Sequence, residues 1–149
     1  MRLLLATLIA ATAGSAFADT CFRRTYSESH LNQNPAQTVR VIEVRFTDGA
    51  DDRQAFARVI FKDSPKLWTN GLYCWREDSG AQRCGVECDG GTFTVKVRDE
   101  KSIYLTTEGG FIVGGSCGEG EELDIRHVTD NGAPKTVFRL DEVNVASCR

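Results

Sequence analysis

Thr92-Phe93-Thr94-Val95-Lys96-Val97-Arg98 decides the fold class, because its apolar residues recur with a strict period of two. Phe93, Val95 and Val97 fall on one face and Thr94, Lys96 and Arg98 on the other, the pattern of a strand buried on one side and wet on the other. Short runs of the same kind surround it: Val39–Phe46, Ala55–Phe61, Leu72–Glu77, Arg83–Cys88, Ser102–Thr106, Phe111–Gly114, Leu123–Val128 and Thr136–Leu140. Turn formers separate them at Asp48-Gly49, Asp63-Ser64-Pro65, Asp78-Ser79-Gly80, Asp89-Gly90-Gly91, Asp99-Glu100-Lys101, Glu108-Gly109-Gly110 and Asn131-Gly132. Strands at this spacing without a helical crossover predict an all-β fold, an antiparallel meander closed into a small up-and-down barrel or folded as a sandwich. One short helix is expected over Glu28–Gln33, with Ser27 as its cap and Pro35 just beyond it.

The N-terminal segment reads differently. Arg2, the apolar run Leu3–Ala11 and the small residues Ala16-Phe17-Ala18 have the order of an export signal cut after Ala18. Removing 18 of the 149 residues leaves 131, a single β domain over 19–149. The apolar run is about half of what spans a bilayer, so no membrane insertion is expected. The formal charge is −3, and it becomes −4 once Arg2 is removed; Lys and Arg are scattered along the chain. Nucleic acid is therefore not an expected partner.

All six cysteines, Cys21, Cys74, Cys84, Cys88, Cys117 and Cys148, follow that signal. An even count in a small exported chain predicts disulfides in an oxidising compartment, periplasmic or extracellular. Strand parity narrows the pairing. A three-residue turn at Asp78-Ser79-Gly80 sets Cys74 opposite Cys84, Tyr73 opposite Gly85 and Trp75 opposite Arg83, with a ring over the glycine and a cation over the indole. Cys88 then shares the face of Cys84 and is free to reach Cys117, and Cys21 with Cys148 ties the two ends. Cys84-x3-Cys88 with His127 lacks the paired spacing of a zinc site. The acidic groups Asp48, Asp51, Asp52 and Glu119, Glu121, Glu122, Asp124 do not follow a calcium-loop pattern. No metal and no cofactor is expected.

Catalytic constellations are thin. There is no Gly-x-Ser-x-Gly elbow. His30 lies near the short helix, and parity with Leu123 and Ile125 turns His127 toward the core. A binding surface is the stronger reading: Tyr73 and Trp75 project away from Cys74, with Trp68 at their edge and Arg76 and Arg83 nearby, residue types that dominate interaction hot spots. The function expected is a non-catalytic binding module for a protein partner or a small apolar ligand; the alternative is a small hydrolase using His127 or His30 with acidic neighbours.

Cys21 to Tyr26, His30-Leu31, Pro35-Ala36-Gln37-Thr38-Val39, Cys84-Gly85-Val86-Glu87-Cys88-Asp89-Gly90-Gly91 and Phe138-Arg139-Leu140 resemble segments of small, six-cysteine exported proteins of proteobacteria. The resemblance spans most of the chain after the signal. It implies bacterial origin and periplasmic placement, and that family brings no assigned activity, ligand or catalytic residue.

Overall fold

The computed structural model describes residues 19–47, 55–115, 125–129 and 133–148. The expected signal 1–18, the acidic groups at 48–52 and 119–124, Cys117 and the turn at 131–132 lie outside them. Among the described residues nine strands run β1 Cys21–Thr25, β2 Val39–Phe46, β3 Ala55–Phe61, β4 Ser64–Arg76, β5 Gln82–Gly85, β6 Gly91–Asp99, β7 Ser102–Val113, β8 Arg126–Val128 and β9 Lys135–Val143, with one α-helix, α1, at Glu28–Gln33. Neighbouring strands are antiparallel throughout. The order β6-β5-β4-β3-β2-β1-β9-β7 is closed by pairing of β6 with β7, giving an eight-stranded barrel, and β8 is added to the second half of β7. No helix among the described residues is long and apolar enough to cross a membrane.

Closure explains the core. A barrel of about eight strands has an interior just wide enough for its own side chains. Here Phe46, Phe61, Phe93, Phe111 and Phe138 fill it together with Ile42, Leu72, Leu105 and Leu140, all fully buried. Phe93 and Phe111 meet at 4.9 Å between ring centroids. α1 starts as expected, the Ser27 hydroxyl accepting from the His30 amide at 3.2 Å.

The hairpin register also agrees: Tyr73 opposes Gly85, Cys74 opposes Cys84, Trp75 opposes Arg83 and Arg76 opposes Gln82. Cys74 is bonded to Cys84, and Cys21 to Cys148. Cys88 is disulfide-bonded as well, and Cys117, its expected partner, lies outside the described residues.

Several strand readings change: β4 starts at Ser64 rather than Leu72, so Ser64 and Pro65 are strand and not turn. Glu108-Gly109-Gly110 is not a turn: Gly109 and Gly110 take φ of 77° and 84° inside one continuous strand, β7, whose register against β6 shifts there. At that bulge Gly91, with φ of 81°, lies so close that a Cβ would run into the Gly110 carbonyl, a close approach only glycine allows. β5 stops at Gly85 rather than Cys88, because Cys88 and Asp89 turn the chain with φ of 59° and 58°. β1 was not foreseen; its sequence, Cys-Phe-Arg-Arg-Thr, does not alternate.

Candidate functional site

β1 to β4 place their outward side chains in three rows across the barrel wall. The ladders align Cys21, Arg45, Phe56 and Gly71 in the first, Arg23, Glu43, Arg58 and Thr69 in the second, and Thr25, Val41, Ile60 and Leu67 in the third. The middle row is charged. Glu43 is only 5 % exposed although it is on the outer wall. Its Oε2 accepts from Arg23 Nε at 2.8 Å and from Nη2 at 2.5 Å, and its Oε1 is 3.7 Å from Arg58 Nη1. A buried carboxylate is tolerated when it is paired in this way.

The segment after β9 covers one side of this row. Asn144 caps a 3-10 turn, Val145–Ser147, by accepting from the Ala146 amide at 2.9 Å. Arg23 Nη2 donates to the Ser147 carbonyl, and the bridge to Cys21 pins Cys148 over the first row. Among the described residues two clefts open on this wall. One, of about 230 Å³, is lined by Glu43, Arg45, Phe56, Arg58 and Cys148. The other, of about 290 Å³, is lined by Arg23, Thr25, Val41, Glu43, Arg58, Ile60 and Leu67. They share Glu43 and Arg58 and adjoin along the charged row as a composite groove. Its rim is apolar, with Phe56 39 % and Leu67 49 % exposed.

Arg45 is the unbalanced member. It is half-buried, its Nε is out of contact with solvent and lacks a hydrogen-bond partner, and no carboxylate among the described residues pairs with it. Among the described residues the groove thus presents three guanidinium groups against one carboxylate.

The residues expected to bind lie on β4 and, for Arg83, on β5, and those of β4 are divided between its two faces. Trp75 is on the outer wall, 45 % exposed, with its ring over Gly85; Tyr73, opposite that glycine, is half-buried. Arg83 turns to Glu77 at 2.8 Å instead of over the indole, and Arg76 is exposed, reaching the Gly80 carbonyl at 3.4 Å.

Trp68 corrects the expectation. It has the parity of Leu72 and Cys74, points into the barrel and is 5 % exposed. It closes a barrel end: Phe61 packs on it edge-on, Lys66 Nζ lies 4.1 Å above its ring, and Arg126 lies 4.3 Å over Phe61 while holding both oxygens of Asp63 at 3.0 Å. The hydrogen bonds from Arg126 keep the Asp63 carboxyl below its ordinary pKa of 3.8.

His127 is also reassigned. In β8 it is Val128, opposite Phe111, that is buried, and His127 faces outward opposite Ile112. His30 Nε2 is bound to Gln37 Oε1 at 2.9 Å and its ring stacks on Tyr26. Among the described residues neither imidazole hydrogen-bonds a carboxylate or a hydroxyl. Cys21, Glu43 and Cys148 bring their ligand atoms within 4.8 Å of one another, but both sulfurs are committed to a disulfide and two guanidinium groups face the carboxylate, so the set is unsuited to a cation.

The groove was missed because its cations are far apart in sequence. A signal was nevertheless present in Ala55–Phe61, whose outward positions Phe56, Arg58 and Ile60 are all large. No protein-family model, curated protein or solved structure matches this chain.

Proposed function

We propose that this chain is an exported, non-catalytic module that binds a protein partner across the outer wall of β1–β5. One observation carries the reading: Phe56 and Leu67, large and partly bare, rim the groove, and Trp75 stands bare farther along β4 on the same outer side, while the barrel interior is taken up by phenylalanine rings. Aromatic and arginine side chains around a concave centre are the composition of an interaction hot spot. The interior packing favours a protein partner over a small apolar ligand held inside. The disulfides Cys21–Cys148 and Cys74–Cys84 support an oxidising compartment such as the periplasm. The hydrolase alternative lacks support from either histidine, since neither is activated by a carboxylate or hydroxyl among the described residues.

The test uses the immobilised domain and cell-envelope extract of the host. Wild type retains a defined protein; Leu67→Asp and Trp75→Ala, both folded by circular dichroism, lose it. Retention of the same protein by both variants at unchanged yield refutes the outer-wall reading.

A further inference from the structure

We infer that the groove takes an extended acidic peptide of the pattern apolar-x-acidic-x-apolar, its carboxylate held by Arg45 and Arg58. The inference rests on the protein-binding reading above and adds the chemistry of the occupant. The spacing comes from the wall itself. The three rows lie two residues apart along their strands, about 6.8 Å, which is also the distance between side chains i and i+2 of an extended peptide. A peptide laid along the strands therefore turns alternate side chains down, one to each row. The third row offers Val41, Ile60 and Leu67 to an apolar side chain, and the first offers Phe56 to another. Between them stands the charged row.

The charge at the centre selects the middle side chain. Arg23 is committed to Glu43 and to the Ser147 carbonyl. Among the described residues Arg58 is paired only with the far oxygen of the same carboxylate, at 3.7 Å. Arg45 has no carboxylate partner among the described residues. A half-buried guanidinium without an anion is an electrostatic cost that a ligand carboxylate relieves, through charge-assisted hydrogen bonds in a partly dry setting. Glu43 stands in the same row, but its Oε2 is already held by Arg23, so Arg45 and Arg58 still leave the centre of the wall net positive toward an incoming carboxylate.

The probe is the blocked peptide acetyl-Ser-Leu-Ser-Glu-Ser-Leu-Ser-amide, titrated into the 15N-labelled domain by NMR. It is compared with the same peptide carrying Gln for Glu, and with an isomer in which Leu, Glu and Leu are contiguous. The expected result is a saturable shift of β2 and β3 amides, about tenfold or more tighter for Glu than for Gln, with the contiguous isomer weaker. Arg45→Gln should reduce the Glu peptide to the level of the Gln peptide, and Arg45→Lys should restore part of the preference. No saturable shift, equal affinity for Glu and Gln peptides, or an Arg45→Gln variant that keeps the full preference overturns the inference. If any of these is found while Leu67→Asp still abolishes capture of the partner, the docking wall stands and only the carboxylate assignment falls.

Discussion

Removing the Cys21–Cys148 bridge should destabilise the barrel more than removing Cys74–Cys84, although the second lies inside a hairpin that helps to close it. The two bridges span 127 and 10 residues of sequence. Restricting the unfolded chain contributes entropy that grows with the logarithm of the loop, which gives about 4.9 kcal/mol for the long loop and about 2.7 for the short one. All four cysteines are buried, so the variants should be Cys→Ala pairs: serine would leave buried hydroxyls and confuse loop entropy with desolvation. With Ala at both sites each pair loses two buried sulfurs, and loop entropy leaves a difference of about 2.2 kcal/mol. For a domain of this size that corresponds to roughly 8 °C in melting temperature. Calorimetry and urea unfolding of the two double variants, each with its other disulfides intact, measure it. If the Cys74/Cys84 variant melts at or below the Cys21/Cys148 variant, loop entropy is not what the terminal bridge contributes, and its role is to hold the segment 144–148 against β1.

Three further outcomes are expected. Trp68→Ala removes a ring from the barrel end and should cost about 3–5 kcal/mol, whereas Trp75→Ala, on the outer wall, should cost about 1; equal losses in denaturant titrations would contradict the opposite orientation of the two rings. Glu43→Gln leaves Arg23 and Arg58 without their shared anion and should destabilise by about 1–3 kcal/mol, less than a fully buried pair because both arginines are about 30 % exposed; an unchanged midpoint in urea would show that solvent already screens the cluster. Asp63 has a lowered pKa, so its pairing with Arg126 stabilises the fold above the ordinary carboxylate range and that contribution is lost as pH falls through the lowered value. Carboxyl-carbon NMR should place its midpoint below 3.8 and return it to the ordinary range in Arg126→Gln, and a midpoint that does not move would remove the ion pair as the cause.

What the sequence by itself determined was local. Period-two runs such as Val39–Phe46 and Ala55–Phe61 appear as strands with the expected bounds, because alternation on a half-buried sheet is an instruction that each segment carries alone. The same holds for the Ser27 cap and for the Asp78–Gly80 hairpin, whose turn sets the register and with it the Cys74–Cys84 bridge. Tertiary structure decided what depends on partners distant in the chain. Closure through β6 and β7 made a barrel rather than a sandwich, recruited the irregular β1 as a wall strand between β2 and β9, and turned the diglycine at 109–110 from a turn into a bulge. The extension of β4 back to Ser64 put Trp68 on the inner face, and pairing with β7 turned His127 outward. Arg23, Arg45 and Arg58, scattered in sequence, became neighbours around Glu43 only because β1, β2 and β3 align them across one wall; lateral pairing sets that proximity, and no window of the sequence contains it.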